Sequence, residues 1–195
     1  MDPQSPLSVG MLGMYGAWYA NQAVGECDCL IAIGVRFDDR VTGKVATFAP
    51  HAKIIHFDID PSSIRKVVQG GVPIVCDASE ALDQLIDLID EGEHGDWLAE
   101  IAGFREKGPL PRPERDHIVP HEVMEAIAAV AGDTPVVASD VGLSQMWTAN
   151  YLPFGGPRQY ITSGGLGTMG YALPAAMGAA LGNPDRPIFA INGDG

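Results

Sequence analysis

Residues 161–182 read Ile161-Thr-Ser-Gly-Gly-Leu-Gly-Thr-Met-Gly-Tyr-Ala-Leu-Pro-Ala-Ala-Met-Gly-Ala-Ala-Leu-Gly182, and residues 187–195 read Pro187-Ile-Phe-Ala-Ile-Asn-Gly-Asp-Gly195. The glycines of the first stretch permit a sharp backbone turn, and the small side chains after it let a helix lie very near a sheet. Residues 188–191 are wholly apolar, as in a strand buried on both faces. Asp194 therefore emerges at the carboxyl end of a strand, where open α/β sheets bind ligands.

Asp194 lies between Gly193 and Gly195. A carboxylate in this position is a candidate Mg²⁺ ligand, because the ion prefers oxygen and often bridges one or two carboxylates to phosphates. Gly-Asp-Gly is also a common composition of tight turns. The glycine turn and the small-residue helix that come before it favour the metal site over the plain turn.

The composition excludes several classes of protein. The 195 residues are 46% hydrophobic and carry a net charge of −13, with an isoelectric point near 4.5. This excess of negative charge argues against a nucleic-acid or anionic membrane surface. No apolar run reaches the roughly 18–20 residues of a membrane span, and the N-terminus lacks a signal-peptide pattern. Cys27, Cys29 and Cys76 are predicted to be packing residues in a reducing cytoplasm.

The predicted elements alternate between strands and helices, which favours parallel sheets with right-handed crossovers and an α/β fold. The predicted strands are 30–33, 53–58, 73–76, 135–138 and 188–191. In the first domain the predicted helices are 17–24, a short one from Ser62 or Ser63 to about Val68, and 79–90, which Asp77 caps. Further along the chain, a helix with a face of Val123, Ile127 and Val130 is predicted to end at Gly132. Two more are predicted, 145–151 with Ser144 as its cap and one with Gly182 as its C-cap.

Residues 103–120 differ in composition from the segments on either side. They contain four prolines and seven charged residues. Dense proline makes a chain semi-rigid, so the segment is predicted to be a linker between two domains. The first domain then covers residues 1–102 and the second residues 121–195.

Charged residues follow two strands of the first domain. Gly34-Val-Arg-Phe-Asp-Asp-Arg40 comes just past a strand, and its arginines and aspartates suit a diphosphate clamp with a ribose contact. The same residues suit a surface salt-bridge cluster. Asp58 and Asp60 occupy the position that takes ribose hydroxyls, or a turn with a helix cap. This domain has no G-x-G-x-x-G fingerprint, so the pattern alone indicates a nucleotide site without specifying the nucleotide.

Four stretches, taken together, resemble one enzyme family. They are Pro6-Leu-Ser-Val-Gly-Met-Leu-Gly-Met-Tyr-Gly16, Gly34-Val-Arg-Phe-Asp-Asp-Arg-Val-Thr-Gly43, Gln145-Met-Trp147 with Pro157-Arg-Gln159, and residues 162–195. The chain resembles the thiamin-diphosphate enzymes and, within them, the large catalytic subunits of acetolactate synthases. The resemblance covers nearly the whole chain in the family's order. It implies a parallel-sheet, Rossmann-like middle domain followed by the first part of a second α/β domain, which binds thiamin diphosphate.

The resemblance implies an FAD site in the first domain, where the flavin is largely structural. The residues that match FAD-contacting positions of the family are Leu12, Gly13, Met14, Tyr15, Gly34, Val35, Arg36, Phe37, Asp38, Arg40, Asp58, Ile59, Asp77 and Ala78. Two positions depart from the family. Tyr15 replaces a histidine, and Cys76 replaces a glycine and adds bulk at a close approach.

The resemblance implies a thiamin-diphosphate site in the second domain, with Asp194 as the Mg²⁺ ligand. The matching residues are Gly142, Ser144, Gly167, Thr168, Met169, Gly193 and Gly195. Met169 would support the bent cofactor, although a core methionine is the common alternative. Leu143 and Ser144 replace a Gln-His pair of the family, and only Ser144 keeps a hydrogen-bonding side chain.

The chemistry that the resemblance implies is the condensation of two 2-keto acids, pyruvate with pyruvate or with 2-oxobutanoate, with loss of CO₂. This reaction serves isoleucine and valine biosynthesis in the cytoplasm, and the family forms homodimers or homotetramers with a regulatory small subunit.

The family's catalytic glutamate and second metal ligand have no counterpart in this chain, so no catalytic residue is assigned. The chain is expected to be a fragment that neither decarboxylates pyruvate nor binds thiamin diphosphate tightly by itself. The alternatives are a glyoxylate carboligase, a pyruvate oxidase and a non-catalytic nucleotide-binding remnant.

Overall fold

The computed structural model describes residues 5–194 and has the α/β architecture with parallel strands that the sequence predicts. Its elements in chain order are α1 (Trp18–Glu26), β1 (Cys29–Ile33), α2 (Asp39–Thr42), a 3₁₀ turn (Val45–Thr47), β2 (Lys53–Asp58), β3 (Val72–Val75), α3 (Ala78–Ile86), α4 (Gly95–Lys107), α5 (Pro120–Ala131), β4 (Val136–Ser139), α6 (Leu143–Tyr151), β5 (Tyr160–Thr162), α7 (Ala172–Gly182) and β6 (Ile188–Ile191). Among the described residues, every helix is too short or too polar to cross a membrane.

The chain forms two compact units. One, called here the N-terminal unit, comprises residues 12–14 and 18–109, and the other, the C-terminal unit, comprises the described residues 5–11, 15–17 and 110–194. The N-terminal unit contains a parallel sheet in the order β1-β2-β3. Its core is formed by Ala32, Phe37 and Ile54.

The C-terminal unit contains a second parallel sheet in the order β5-β4-β6. The central strand β4 is buried along its whole length. Met124, Val137 and Leu152 form the core on one side of the sheet. On the other side Ala172 and Ala176 of α7 pack against Ala138, so the small-residue helix does lie close to the sheet, as its composition predicts.

Local sequence signals account for several element boundaries. Asp77 is the N-cap of α3, and its carboxylate accepts a hydrogen bond from the Ser79 amide at 2.8 Å. Pro120 begins α5 at a position where a missing N–H costs nothing. Gly132 ends α5 with a positive φ of 67°.

The helix predicted from Ser62 or Ser63 to Val68 is wrong. The structure has turns there, and Arg65 adopts a positive φ of 57°, which a helix does not permit. The carboxylate of Asp60 binds the Ser62 amide at 2.8 Å in a side-chain turn. The helix predicted over 79–90 ends earlier, at Ile86.

The predicted linker begins too early. Residues 103–107 are the last part of α4, and Phe104 is buried within the N-terminal unit, where its ring makes edge contacts with Trp18 and Trp97. Neither α4 nor the short elements α2 and β5 was predicted. Their apolar spacing is weak or their length too small for a periodic pattern to show.

Some predicted faces and caps also differ from the structure. In α5, Val123 and Val130 are exposed and Met124 is buried. The N-cap of α6 is Gly142 rather than Ser144, and Gly182 is the last residue of α7, with Asn183 as the C-cap. Residues 188–191 do form β6, but the strand lies at the edge of the sheet and is only partly buried.

Candidate functional site

Three loops leave the same edge of the C-terminal sheet. Because β4 is parallel to both β5 and β6, all three strands end on one side. The loops that follow them are residues 140–142, 163–171 and 192–194. The Asp140 amide donates a hydrogen bond to the Ile191 carbonyl at 2.9 Å, which joins the end of β4 to the end of β6.

Asp140 connects the end of β4 to the start of α7. Its carboxylate is buried and accepts hydrogen bonds from the amide of Gly170 at 2.8 and 3.0 Å and from the amide of Tyr171 at 3.1 Å. The glycine turn before α7 is thereby held at the carboxyl end of β4. Sequence analysis assigned no role to Asp140. A carboxylate directly after a buried apolar strand is the signal that identifies it.

The loops at this edge are shaped by glycines that face open space. Gly142, Gly167 and Gly170 have positive φ angles of 121°, 65° and 83°. Around Gly142 and Gly170 nothing would lie within 4 Å of an added Cβ, and around Gly167 only a Val141 methyl group would, at 3.9 Å. The turn conformation therefore requires glycine, while the space beyond remains free for a bound group.

The turn before α7 exposes its larger side chains. The Ser163 hydroxyl accepts a hydrogen bond from the Thr168 amide at 3.0 Å. The backbone carbonyl of Ser163 accepts one from the Gly167 amide at 3.0 Å. Met169 is 63% exposed. The alternative of a core methionine is therefore wrong, whereas contact between Met169 and a cofactor stays a prediction.

Asp194 lies three residues after the end of β6 and is exposed, as is Gly193. Gly195 lies outside the described residues. Within residues 5–194, no three His, Cys, Asp or Glu side chains come together as a metal-binding group. A single carboxylate fits Mg²⁺ that takes its remaining oxygen ligands from a diphosphate and water, and it does not fit an all-protein cage.

Ser144 and its neighbours have structural partners. The Ser144 hydroxyl donates to the Asp140 carbonyl at 3.3 Å, whereas Leu143 is exposed. Beneath the loops, Gln145 donates to the Thr162 hydroxyl at 2.9 Å. The Ser139 hydroxyl is 2.8 Å from that of Tyr160, and burial raises the pKa of Tyr160. These bonds support the loops from inside and leave the outer edge open.

In the N-terminal unit the structure brings two of the predicted flavin-binding stretches together. The Met14 amide donates to the Arg40 carbonyl at 2.7 Å. A Cβ on Gly13 would lie 2.5 Å from that carbonyl oxygen, so only glycine permits this approach. Asn21 holds the turn, since its side chain exchanges two hydrogen bonds with the backbone of Gly13 at 2.7 and 3.0 Å. Tyr15, by contrast, belongs to the C-terminal unit, and its carbonyl accepts from Asn150.

The loop after β1 is held by a buried histidine that the sequence analysis missed. His56 donates from Nε2 to the Val35 carbonyl at 2.7 Å, and its ring makes an edge contact with Phe37 at 4.9 Å. Phe37 is buried with a positive φ of 54°, which is uncommon for a bulky residue and costs on the order of 1–3 kcal/mol. Asp38 then caps α2, and Arg36 lies 3.7 Å from its carboxylate.

Replacing His56 with phenylalanine is expected to destabilise the N-terminal unit by about 1–3 kcal/mol, because the ring is kept while the Val35 carbonyl loses its donor. Urea unfolding measures the change. His51→Phe is the matched control at an exposed position, where we expect less than about 0.5 kcal/mol. Equal effects of the two substitutions would show that the hydrogen bond to Val35 does not matter.

A cavity of about 130 Å³ opens at the carboxyl ends of β1, β2 and β3. It is lined by Gly34, Phe57, Asp58, Ile59, Cys76, Asp77 and Ala78. Five of these residues are predicted flavin contacts that lie far apart in the sequence. Asp58 is buried and its carboxylate accepts from the Asp60 amide at 2.9 Å. Cys76 contributes to the wall, as expected from its bulk. The cavity fits part of a nucleotide.

Asp77, in the wall of this cavity, makes the stability of the fold depend on pH. Hydrogen bonds from the hydroxyl and the amide of Ser79 lower the pKa of Asp77. Because the folded-state pKa lies below the unfolded value of about 3.9, Asp77 stabilises the fold above that pH, and the contribution is lost as the pH falls through the folded-state pKa. Asp77→Asn should therefore lose less stability than the wild type when urea unfolding is compared at about pH 5 and pH 2. An identical acid dependence of the two proteins contradicts this role.

Comparison with known proteins identifies the family to which both parts of the chain are similar. Residues 1–85 match the model of the thiamine pyrophosphate enzyme central domain, and residues 140–195 match that of the C-terminal TPP binding domain. Thiamine pyrophosphate is thiamin diphosphate. The chain thus belongs to the thiamine pyrophosphate enzymes.

Within this family the chain is similar to acetolactate synthase large subunits. It is 46% identical to the isozyme 1 large subunit of Escherichia coli K12 over 191 residues, which are 97% of this chain and 34% of that protein. It is 45% identical to the large subunit of Corynebacterium glutamicum over 97% of this chain and 31% of the relative. For the chloroplastic acetolactate synthase 1 of Nicotiana tabacum the values are 43%, 97% and 29%. The chain spans about a third of the length of these relatives.

Proposed function

We propose that this chain is the part of an acetolactate synthase that holds FAD in its N-terminal unit and the diphosphate end of thiamin diphosphate in its C-terminal unit. The observation that carries the proposal is the convergence of the Gly142, Gly167 and Asp194 loops at one edge of a parallel sheet. This edge is where the fold class binds ligands. The residues that match the family's thiamin-diphosphate-binding positions lie there.

In the C-terminal unit, thiamin diphosphate supplies carbanion chemistry at the keto carbon of a 2-keto acid when it is bound. The residues of the chain that would hold it are Gly142, Ser144, Gly167, Thr168, Met169 and Gly193. The glycine turns leave open space beside their backbone. Backbone amides there could hold a diphosphate, which suits a chain with a net charge of −13 that must bind an anion locally. Asp194 would hold Mg²⁺ against the diphosphate oxygens.

In the N-terminal unit, the residues proposed to hold FAD are those that the Met14–Arg40 contact and the cavity at the strand ends bring together. Asp58 is placed for a ribose hydroxyl, as carboxylates at this strand end are in nucleotide-binding folds. Arg36 and Arg40 are the cations of the loop and suit a diphosphate. Flavin fluorescence quenching on titration of FAD with the chain measures this binding, and unchanged fluorescence would contradict it.

The proposed reaction is the condensation of pyruvate with pyruvate or 2-oxobutanoate with loss of CO₂, in isoleucine and valine biosynthesis in the cytoplasm. The proposal includes a homodimer or homotetramer and a regulatory small subunit for the whole enzyme. It is supported by identities of 43–46% to acetolactate synthases of bacteria and a plant.

A chimera tests the reaction. The 191 residues of the Escherichia coli isozyme 1 large subunit that match this chain are replaced by the residues of this chain, and acetolactate formation from pyruvate is measured. Product is expected, and the same chimera with Asp194→Asn should form none. A folded chimera that binds thiamin diphosphate yet forms no acetolactate would overturn the proposed reaction. In that case Leu143→Gln with Ser144→His, which installs the pair found in the family, shows whether these two positions are the cause.

A further inference from the structure

The carboxylate of Asp140 is 2% exposed. Among the described residues no Lys, Arg or His forms an ion pair with it, so its charge is balanced by backbone amides alone. Burying a carboxylate without a cation is costly unless hydrogen bonds replace its hydration. The residue therefore requires an explanation that the proposed cofactor contacts do not supply.

Both carboxylate oxygens of Asp140 are occupied by donors from the protein. Oδ1 accepts from the amides of Val141 at 3.0 Å, Gly170 at 2.8 Å and Tyr171 at 3.1 Å. Oδ2 accepts from Gly170 at 3.0 Å. An oxygen already surrounded by N–H groups and closed to solvent is poorly suited to coordinate a cation. Asp140 and Asp194 therefore follow adjacent strands but differ in role, because only the carboxylate of Asp194 is free to coordinate a cation.

The backbone of Asp140 reaches the end of β6, the strand that leads into the remaining loop. Its amide donates to the Ile191 carbonyl at 2.9 Å, three residues before Asp194. Its carbonyl accepts from the Ser144 hydroxyl at 3.3 Å, at the start of α6. One residue therefore connects the loop after β4 with the turn before α7, the start of α6 and the end of β6, through hydrogen bonds of 2.8–3.3 Å.

We infer that Asp140 is a positioning residue, whose carboxylate fixes the turn before α7 at the sheet edge where β6 leads into the loop of Asp194. Among the described residues, Asp194 rather than Asp140 is then left to hold the metal. This inference rests on the proposed function, because it concerns the geometry of the same diphosphate site. Asp140 itself contacts neither the metal nor the diphosphate.

The test compares Asp140→Ala and Asp140→Asn with Gln159→Leu in the whole chain. Gln159 is an equally buried polar residue of the C-terminal unit, and it binds the amides of Gly155 and Gly156 and the Asp133 carbonyl, before the start of β4. Amide hydrogen exchange is measured for residues 167–171, and amide chemical-shift changes are measured for residues 192–194 on addition of thiamin diphosphate with Mg²⁺.

Asp140→Ala is expected to accelerate exchange at Gly170 and Tyr171 by roughly 10- to 100-fold, since charge-assisted hydrogen bonds are lost. Asp140→Asn keeps one acceptor and should give a smaller acceleration. Both variants should reduce the ligand-induced shifts at residues 192–194, whereas Gln159→Leu should leave both measurements unchanged. Unchanged exchange in Asp140→Ala, or an equal response in Gln159→Leu, would overturn the inference. If the wild type shows no ligand-induced shift even at ligand concentrations that detect weak binding, the proposed diphosphate site in this chain fails, and the exchange measurement still decides the role of Asp140.

Discussion

Asp194→Asn should weaken metal-dependent binding of thiamin diphosphate by about 100-fold or more. Asparagine keeps one oxygen but has no charge, and the proposed Mg²⁺ site has a carboxylate as its protein ligand. Substituting a residue that only hydrogen-bonds to a metal ligand already lowers metal affinity by roughly 10- to 100-fold. Asp194 is the one carboxylate on the loop after β6, and the neighbouring Asp140 is engaged by amides, so no described side chain nearby replaces it.

The measurement for Asp194 uses Mn²⁺ in place of Mg²⁺. Paramagnetic broadening of amide signals is followed as Mn²⁺ is added to the chain in the presence of thiamin diphosphate, which detects weak binding as well as tight binding. Broadening should centre on residues 192–194 and disappear in Asp194→Asn. Asp185→Asn is the matched control, because Asp185 is an exposed aspartate before the start of β6. Broadening that survives Asp194→Asn, or that is equally lost in Asp185→Asn, contradicts the metal site.

The second large effect is expected for Gly13→Ala. Gly13 has a φ of 87°, which costs alanine about 1–2 kcal/mol. The new Cβ would also lie 2.5 Å from the Arg40 carbonyl oxygen and 2.9 Å from the Cα of Val41. Both are backbone atoms that cannot turn aside, so overpacking adds about 1–3 kcal/mol. We expect a total loss of about 2–5 kcal/mol.

Gly70→Ala separates the cost of the φ angle from the cost of overpacking in Gly13→Ala. Gly70 has nearly the same φ, 90°, and nothing lies within 4 Å of an added Cβ, so only the cost of the φ angle applies, about 1–2 kcal/mol. Urea unfolding gives both values. Because the Gly13 turn lies against the loop proposed to bind FAD, Gly13→Ala should also lower FAD affinity at least about tenfold, while Gly70→Ala leaves it unchanged. Equal losses of stability in the two variants would mean that the contact with Arg40 is not tight.

The fold could be predicted wherever strong patterns coincide. The alternation of apolar strands with helices gave the parallel sheets, and β2 was located to the residue. The helix from Ser62 or Ser63 was mistaken, because an Asp-x-Ser sequence that begins many helices here closes a side-chain turn at Asp60. The face of α5 was wrong because Val123 and Met124 are both apolar, and the packing against β4 and α6, which a single sequence does not show, selects Met124.

The candidate site was predicted through motifs and missed where residues act through the backbone. Gly13 and Arg40 were both named, but nothing in a spacing of 27 residues reveals that one backbone touches the other. Asp140, just after β4, and His56, within β2, were missed because each is a single polar residue that hydrogen-bonds backbone amides or carbonyls distant in the chain. Which side chain reaches which loop depends on tertiary contacts.

On the helix side, the contact between α7 and its sheet is made by alanine methyl groups. Ala172 and Ala176 are its buried residues, while the longer side chains Leu173, Met177 and Leu181 are exposed. Detaching the helix therefore uncovers little apolar surface, and the sensitivity of an opening reaction to urea scales with the surface that it uncovers. The helix should come off its sheet in a local fluctuation that denaturant barely influences, distinct from global unfolding.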